Sequence, residues 1–378
     1  MRILCVISTM EPGGAQRAMA RLVTHLAQRH EVTLVTWEAP EVASFYDLPP
    51  PVRLVRCGLL GGSGWAWVRR VAARLPTLRR HVRSWHPHVV LGFMDITNVT
   101  AVVACLGTGV PVVASERIDP ARHRIPRAKS ILRLVGYALA DRVVVQTERV
   151  RRYFPRWMWG RIDIVPNAAP PPPEIARPDR PGAQGRFRII GLGRLDRQKG
   201  FDCLIEAFGR IAGHHPAWDL VIFGEGSERK ALEAQVAALG LNDRIRLPGV
   251  TRTPEAELAA SHLMAFPSRF EGFPNALAEG IATGLPAVAF DGVSGVEDLV
   301  VPDHTGVLVD PCQDAAGFAA ALDRLMADDA ARARFGAAAI SHAANWTPEA
   351  VHRSWERLLT EVAFQVRRPS SPCAGQTL

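Results

Sequence analysis

Glu271-Gly-Phe-Pro-Asn-Ala-Leu-Ala-Glu279, closed by Gly280, places a carboxylate on either side of a loop-to-helix junction. Pro274 suits a first helical turn, where its missing N–H would have no partner anyway. Ala276, Leu277, Ala278 and Glu279 are good helix formers, and Gly284 with Pro286 ends the run. A helix start exposes unpaired amides at the positive end of the helix dipole, so it can hold an anion. With Pro274 contributing no N–H, the amides of Asn275 and Ala276 are the expected donors. Glu271 would stand before the start and Glu279 about one turn inside it. The same residues also fit an ordinary acid ahead of a helix bearing a solvated Glu, and the stretch alone does not separate the two readings.

Outward from it, the chain repeats one rhythm of apolar strand, glycine-marked turn and amphipathic helix. In the first half the expected strands are 3–8, 32–37, 52–55, 89–93, 110–114 and 142–146, with helices 15–29 and 65–85, the latter interrupted at Pro76. In the second half strands are expected at 187–193, 219–223, 245–247, 263–266, 287–290 and 306–309, again separated by helices. Near-continuous apolar strands joined by helices specify parallel sheets covered on both faces. The proline-rich 166–173 and polar 174–184 read as a linker. The expected organisation is α/β, with a first domain 1–170, a second domain 185–345, a terminal helix 348–366 joined to the first domain, and a disordered tail 367–378. Two such domains would face one another across a cleft at their strands' carboxyl ends, where open α/β sheets bind ligands.

At 378 residues and 48% hydrophobic content, the chain has the composition of a globular protein with about two cores. The net charge of +8 is uneven: residues 1–170 carry 24 Lys/Arg against 11 Asp/Glu, the remainder 21 against 26. The first half is thus suited to phosphates or an anionic surface. Cys5, Cys57, Cys105, Cys203, Cys312 and Cys373 show no metal-ligand spacing and read as reduced thiols of a cytoplasmic protein. The opening apolar run is too short for a signal peptide, and no run is long enough to span a bilayer.

Several motifs fall at strand ends. Gly191-Leu-Gly-Arg-Leu-Asp-Arg-Gln-Lys-Gly200 puts Arg194 and Lys199 in a glycine-bounded loop, one suited to fork onto a diphosphate and the other to add a point charge. Gly224, in Phe223-Gly-Glu-Gly226, allows close ligand approach or simply a tight turn. Val250, after Leu247-Pro-Gly, would present backbone to a nucleobase edge. Gly13 and Gly14 could bring amides to the same diphosphate. Glu38 raises a nicotinamide site as the rival, but the G-x-G-x-x-G spacing is absent. Glu271, the helix-start amides and Glu279 have the layout of hydroxyl, diphosphate, hydroxyl found in a sugar nucleotide.

On the first half, Asp95 ends a strand where an acceptor hydroxyl could be touched. Ser115-Glu-Arg-Ile-Asp-Pro120 offers Arg117 and Asp119 to an acceptor and leads into the basic run Arg122, His123, Arg124, Arg127 and Lys129. That run fits a phosphorylated acceptor or a solvated face equally. The segment Trp65–Trp85 carries Arg69, Arg70, Arg74, Arg79, Arg80 and Arg83 with no acid, the pattern of a helix lying on an anionic membrane. Nucleic acid is disfavoured, since no recognition motif accompanies the charge. No metal site is expected: no Asp-x-Asp pair, His-Glu-x-x-His or Cys/His cluster occurs.

Gly13-Gly14, Gly193-Arg194…Lys199-Gly200 and Glu271…Glu279, in that order, resemble retaining glycosyltransferases of family 4, whose two-domain architecture is called GT-B. The resemblance spans about residues 1–365. It implies two Rossmann-like domains and a metal-independent transfer from a nucleotide-sugar, UDP-linked. Arg194 and Lys199 would hold the diphosphate, Glu271 the donor sugar, Glu279 the ribose, and the amides near Phe273–Ala276 a phosphate or the sugar. The Gly-Gly-Ala-Gln-Arg turn and Ser-Glu-Arg-Ile-Asp-Pro are similar to members adding hexosamines to polyprenyl-diphosphate-linked or surface glycans, which implies a peripheral enzyme on the inner face of the cytoplasmic membrane. Two departures stand out: Asp95 lies in the region where many members have His, and Pro274 replaces a second Gly. An epimerase or hydrolase of the same fold, or a membrane-binding module with a vestigial cleft, are the alternatives.

Overall fold

The structure, a computed structural model, describes residues 1–365 apart from Pro12 and residues 122–125. The basic run Arg122, His123 and Arg124 and the tail 367–378 therefore lie outside the described residues. The chain forms two units, Met1–Pro166 together with the segment from Glu349 onward, and Asn167–Pro348.

Unit 1 runs β1 (Arg2–Val6), α1 (Gly14–Leu26), β2 (Glu31–Thr36), β3 (Arg53–Arg56), α2 (Gly64–Trp85), β4 (Val89–Phe93), α3 (Asp95–Cys105), β5 (Val112–Ser115), α4 (Arg127–Ala138), β6 (Arg142–Val145), α5 (Glu148–Tyr153) and β7 (Ile162–Ile164). The strands form one parallel sheet ordered β3-β2-β1-β4-β5-β6-β7. Central strands β1 and β4 are buried almost throughout, which is why they read as unbroken apolar runs. Right-handed crossovers put α1 on one face and α2, α3 and α4 on the other, with α3 packed between its two neighbours.

Unit 2 follows with β8 (Phe187–Leu192), α6 (Phe201–Ile211), β9 (Trp218–Phe223), α7 (Arg229–Ala238), β10 (Ile245–Gly249), α8 (Pro254–Ala259), β11 (Leu263–Phe266), α9 (Asn275–Ala282), β12 (Ala287–Phe290), α10 (Val296–Leu299), β13 (Gly306–Val309), α11 (Asp314–Ala327) and α12 (Asp329–Ala343). Its parallel sheet is ordered β10-β9-β8-β11-β12-β13. Arg332 is buried in this unit, donating to the carbonyls of Pro178 (2.7 Å), Leu325 (2.7 Å) and Met326 (3.0 Å) beneath the rings of Phe187 and Trp218. The terminal helix α13 (Pro348–Gln365) belongs to unit 1 from Glu349. There Trp355 lies 5.8 Å from the Phe93 ring, and Glu356 pairs with His30 at 3.1 Å.

Two local expectations are corrected. Pro76 does not interrupt α2, which is one continuous helix. A helical proline costs about 3 kcal/mol, but Arg74 before it and the fully buried Leu78 and Val82 after it are anchored to the same surface, which offsets that cost. The three-residue strand β7 was not anticipated, because Ile-Asp-Ile between Arg161 and Val165-Pro166 is too short to show a period. Among the described residues, no helix is long and apolar enough to cross a membrane.

Candidate functional site

In unit 2 the strand order reverses between β8 and β11, so the loops leaving these neighbours flank the point where ligands of such sheets bind. The loop after β8 carries Arg194 and Lys199, and the loop after β11 carries Glu271. Lys199 Nζ lies 2.5 Å from Glu271 Oε1, with the side chains only 15% and 9% exposed. Gln198 joins the two loops: its Oε1 accepts from Arg194 Nη2 (3.3 Å), and its Nε2 donates to Phe270 O (2.8 Å) and reaches Glu271 Oε2 at 3.5 Å. Arg269 adds a backbone bond to Gln198 O at 2.8 Å and a fork onto Asp202. Arg194 itself is exposed and pairs with Asp196 at 3.2 Å. Arg194, Gln198, Glu271 and Lys199 thus form one connected polar chain.

Two glycines make this packing feasible. Gly200 adopts φ +68°, and a Cβ there would sit 2.1 Å from Pro267 O, so only glycine lets the β8 loop lie against the β11 loop. A Cβ on Gly224 would fall 1.8 Å from Gly193 O. Gly224 instead donates its amide to Gly249 O (2.8 Å), which aligns the ends of β8, β9 and β10. Val250 follows with an exposed side chain. Beside it, Arg229 joins Glu225 (2.6 Å), Glu233 (2.8 Å) and Leu247 O (3.1 Å), a clamp the sequence reading missed. Its signal in the sequence was the four-residue spacing of Glu225, Arg229 and Glu233.

The start of α9 differs in one donor from expectation. Pro274 (φ −82°, ψ 76°) forms an inverse γ-turn in which the Asn275 amide donates back to Phe273 O at 3.0 Å. The Asn275 amide is therefore occupied, and the first helical bond is Ala278 N–H to Pro274 O at 3.0 Å. The amides of Ala276 and Leu277 are the ones left without a carbonyl partner. The Asn275 side chain is fixed by Asn167 Nδ2 at 2.7 Å, another contact not foreseen. Phe273 is buried under the turn, and Glu279, in the second turn of α9, is buried except for a small exposed fraction.

In unit 1 the strand order reverses between β1 and β4, so Gly13, Gly14 and Asp95 all lie on loops or helix starts at that point. The Gly13 amide is taken: it donates to Tyr46 Oη at 2.9 Å, and that hydroxyl donates back to Gly13 O at 2.9 Å. The notion of two glycine amides directed at one diphosphate is thereby reduced to Gly14, at the start of α1. Glu38 is buried, and its Oε1 accepts the Met10 amide at 2.8 Å, which ties it to the loop after β1. Asp95 opens α3 after Met94, a non-glycine residue at φ +76°, a strained position of the kind found at functional sites. Asp95 Oδ1 accepts the Ile96 amide at 2.7 Å. The Arg117 guanidinium lies 4.6 Å from the Phe93 ring centre, and burial lowers its pKa to about 9. Asp119 is buried and caps its own turn at the Ala121 amide, 2.9 Å away.

The residue missed in this loop is Glu116. Its Oε1 accepts the amides of Arg117 (3.0 Å) and Ile118 (3.2 Å), and its Oε2 accepts from Tyr137 Oη (3.0 Å) with Arg133 at 3.7 Å. Burial pushes its carboxyl up to about 7 despite Arg133 and Tyr137. Of the six α2 arginines, three serve the fold. Arg74 is buried and donates to Leu59 O at 2.9 Å, Arg70 donates to Leu60 O, and Arg79 donates to Ala104 O at 3.3 Å. Arg74 thus cannot face a membrane, while Arg69, Arg80 and Arg83 are exposed.

Comparison with known proteins bears on both units. Residues 12–171 match the family model described as Glycosyltransferase Family 4, and residues 174–342 match Glycosyl transferases group 1. The chain is 34% identical over 93% of its length to an exopolysaccharide phosphotransferase of Streptomyces coelicolor, of which it spans 40%. It is 25% identical over 96% of its length to a Campylobacter jejuni N-acetylgalactosaminyltransferase acting on a diphosphoundecaprenol-linked glycan, of which it spans 99%. In fold it is similar to Anabaena HepE, solved in complex with UDP, with a TM-score of 0.76, 16% identity, and coverage of 96% of this chain and 100% of that one.

Proposed function

Because the chain belongs to glycosyltransferase family 4 and has the GT-B pair of parallel α/β sheets, we propose that it is a retaining hexosyltransferase. It moves an N-acetylhexosamine from a UDP-sugar to a polyprenyl-diphosphate-linked glycan during surface polysaccharide assembly. The observation that carries the reading is the polar chain Arg194–Gln198–Glu271–Lys199 at the switch point of unit 2. The acceptor class is supported by the activity of the C. jejuni relative, and uridine by the UDP complex of the similar fold.

The donor diphosphate lies between Arg194, Lys199 and the amides of Ala276 and Leu277. Glu279 accepts from the ribose hydroxyls and Glu271 from the donor sugar. As the bond between the sugar's anomeric carbon and the diphosphate oxygen breaks, negative charge grows on that oxygen. Two side-chain cations and a helix start stabilise it in place, so the reading requires no metal ion. The acceptor hydroxyl attacks from the leaving-group face, and its proton passes to the departing phosphate. Product and substrate then share the anomeric configuration without a protein nucleophile. Asp95, Arg117 and Asp119 are assigned to the acceptor side, and the enzyme works at the cytoplasmic face of the membrane, where a polyprenyl-linked acceptor is held.

Titration calorimetry with UDP tests the donor assignment. Glu279→Ala should weaken binding about 10-fold or more, since a hydroxyl loses a charged partner worth about 1.5–3 kcal/mol. Unchanged affinity would remove Glu279 from the donor site. Transfer that survives an excess of chelator is the expected result for the metal-free step, and its loss would contradict it.

A further inference from the structure

Directly after β5 the chain buries a carboxylate. Every residue of β5 except its last, Ser115, is apolar, and Glu116 follows with only 1% of its side chain exposed. The Glu116 amide donates to Val144 O of β6 at 2.8 Å, and there the sheet ladder stops. The side chain takes over: Oε1 accepts the next two amides, Arg117 at 3.0 Å and Ile118 at 3.2 Å. Oε2 faces α4 instead, accepting from Tyr137 Oη at 3.0 Å with Arg133 Nη1 at 3.7 Å. Tyr137 is held in turn by Asn98 of α3, whose Nδ2 donates both to Tyr137 Oη and to Ser115 O at 2.9 Å. Two glycines let these helices come close enough: a Cβ on Gly136 would stand 2.9 Å from Val99, and one on Gly92 2.6 Å from Asn98 Oδ1. One carboxylate therefore anchors the loop to α4 directly and to α3 through Tyr137.

The loop so anchored carries Arg117 and Asp119. Arg117 is buried, with its guanidinium over the Phe93 ring and Nη1 3.4 Å from Ser115 Oγ. A buried ion pair is weak ground for stability, since apolar groups of similar volume in its place are often neutral or stabilising. What an apolar side chain at 116 could not do is accept two successive amides, and so set the direction in which the loop leaves the sheet. We propose that Glu116 is a positioning residue for transfer: its carboxylate holds residues 117–119 in the orientation that presents Arg117 and Asp119 to the acceptor, and a proton on it lets the loop go. This role deepens the reading above and rests on it for the acceptor assignment of those two residues. All partners of the carboxylate are donors, so protonation must break at least one bond. Burial chiefly, with Asp95 at the start of α3 adding to it, pushes the carboxyl up to about 7 against Arg133, Tyr137 and the Ile118 amide. Tyr137 is pushed above its usual range and Arg117 lies at about 9, so neither changes charge in that window. The loop is then held above about 7 and released below it.

The test uses the full chain with UDP-N-acetylgalactosamine as donor and a polyprenyl-diphosphate-linked N-acetylgalactosaminyl glycan as acceptor. Glu116→Leu with Arg133→Met replaces the ion pair by apolar groups, so its urea midpoint should stay near wild type. Its kcat/KM for the acceptor should fall at least about 10-fold while KM for the donor moves less than about twofold, because two loop amides lose their acceptor. Amide hydrogen exchange in the segment 115–121 should quicken in step, a readout that needs no reaction. Glu116→Gln keeps the shape and one accepting oxygen but does not titrate. It should restore part of the acceptor kcat/KM and hold it level where the wild-type value falls as pH drops through about 7. Titration of the substrate phosphates is common to both profiles, so their difference is the readout. An unfolded double variant leaves that difference to decide. An acceptor kcat/KM within about threefold of wild type in the double variant, or a donor KM that rises as much as the acceptor's, would overturn the proposal. So would unchanged exchange, or a Gln variant with the wild-type pH inflection. If wild type transfers no sugar while loop exchange responds as described, the anchor stands and the transferase reading falls.

Discussion

Replacing Lys199 with Met separates what the ion pair does for the fold from what it does for the reaction. Lys199 and Glu271 meet at 2.5 Å with 15% and 9% of their side chains exposed. Removing one partner of a fully buried pair costs about 3–5 kcal/mol. Here both groups keep some water and Gln198 Nε2 stays within 3.5 Å of the carboxylate, so the loss of stability should fall near 2–3 kcal/mol. In the proposed reaction the Lys199 charge would face a growing oxyanion, and losing one such donor typically lowers kcat about 10²–10³-fold. Urea denaturation gives the first quantity, and UDP release at saturating donor and acceptor gives the second, at a temperature where both proteins are folded. Glu271→Gln added to Lys199→Met should recover part of the stability, because the unpaired carboxylate is gone, and none of the rate. A kcat within threefold of wild type, or a rate restored by the second substitution, would refute the role given to Lys199.

Three further outcomes follow from the geometry. Gly200→Ala forces a side chain into a φ of +68° and to 2.1 Å from Pro267 O; the loop must shift, and transfer should fall at least 10-fold with a stability loss of about 1–2 kcal/mol, measured by kcat/KM and urea melts. His262 is buried and neutral, its Nδ1 accepting the Arg188 amide at 2.9 Å, and burial lowers its pKa to about 4. Because the folded value lies below the unfolded 6.5, its stabilisation is present above pH 6.5 and lost as pH falls through about 4, at most about 3 kcal/mol. His262→Asn, which supplies an acceptor that does not titrate, should flatten the dependence of unit 2 stability in that window. Arg332→Met strips the donor from three carbonyls and should cost unit 2 about 3 kcal/mol or more by urea denaturation.

The strand–helix alternation was readable because parallel strands covered on both faces, such as 89–93 and 263–266, must be apolar throughout. The glycines at 193, 200 and 224 were readable for a related reason, since close passage of one strand-end loop over another excludes a Cβ. What escaped depends on partners distant in sequence. Nothing near Gly13 announces that Tyr46 will occupy its amide, and nothing near Glu116 announces Tyr137 and Arg133. The Asn275 amide was misassigned because Pro274 was credited only with removing a donor; its ψ of 76° also folds the next amide backwards. The α2 arginines read as one basic face because charge patterning ignores carbonyls left open by a neighbouring loop, which Arg70 and Arg74 cap at Leu60 and Leu59.

The central claim is that unit 2 activates a nucleotide-sugar for transfer. It is tested most directly by incubating the protein with a panel of nucleotide-sugars, with and without a polyprenyl-diphosphate-linked glycan, while following nucleoside diphosphate release and the anomeric configuration of the product. The account predicts release that depends on the acceptor, is strongest with a UDP-N-acetylhexosamine, and yields a glycosidic bond of the donor's own configuration. Donor conversion or hydrolysis at the same rate without acceptor, or a product of inverted configuration, would contradict it.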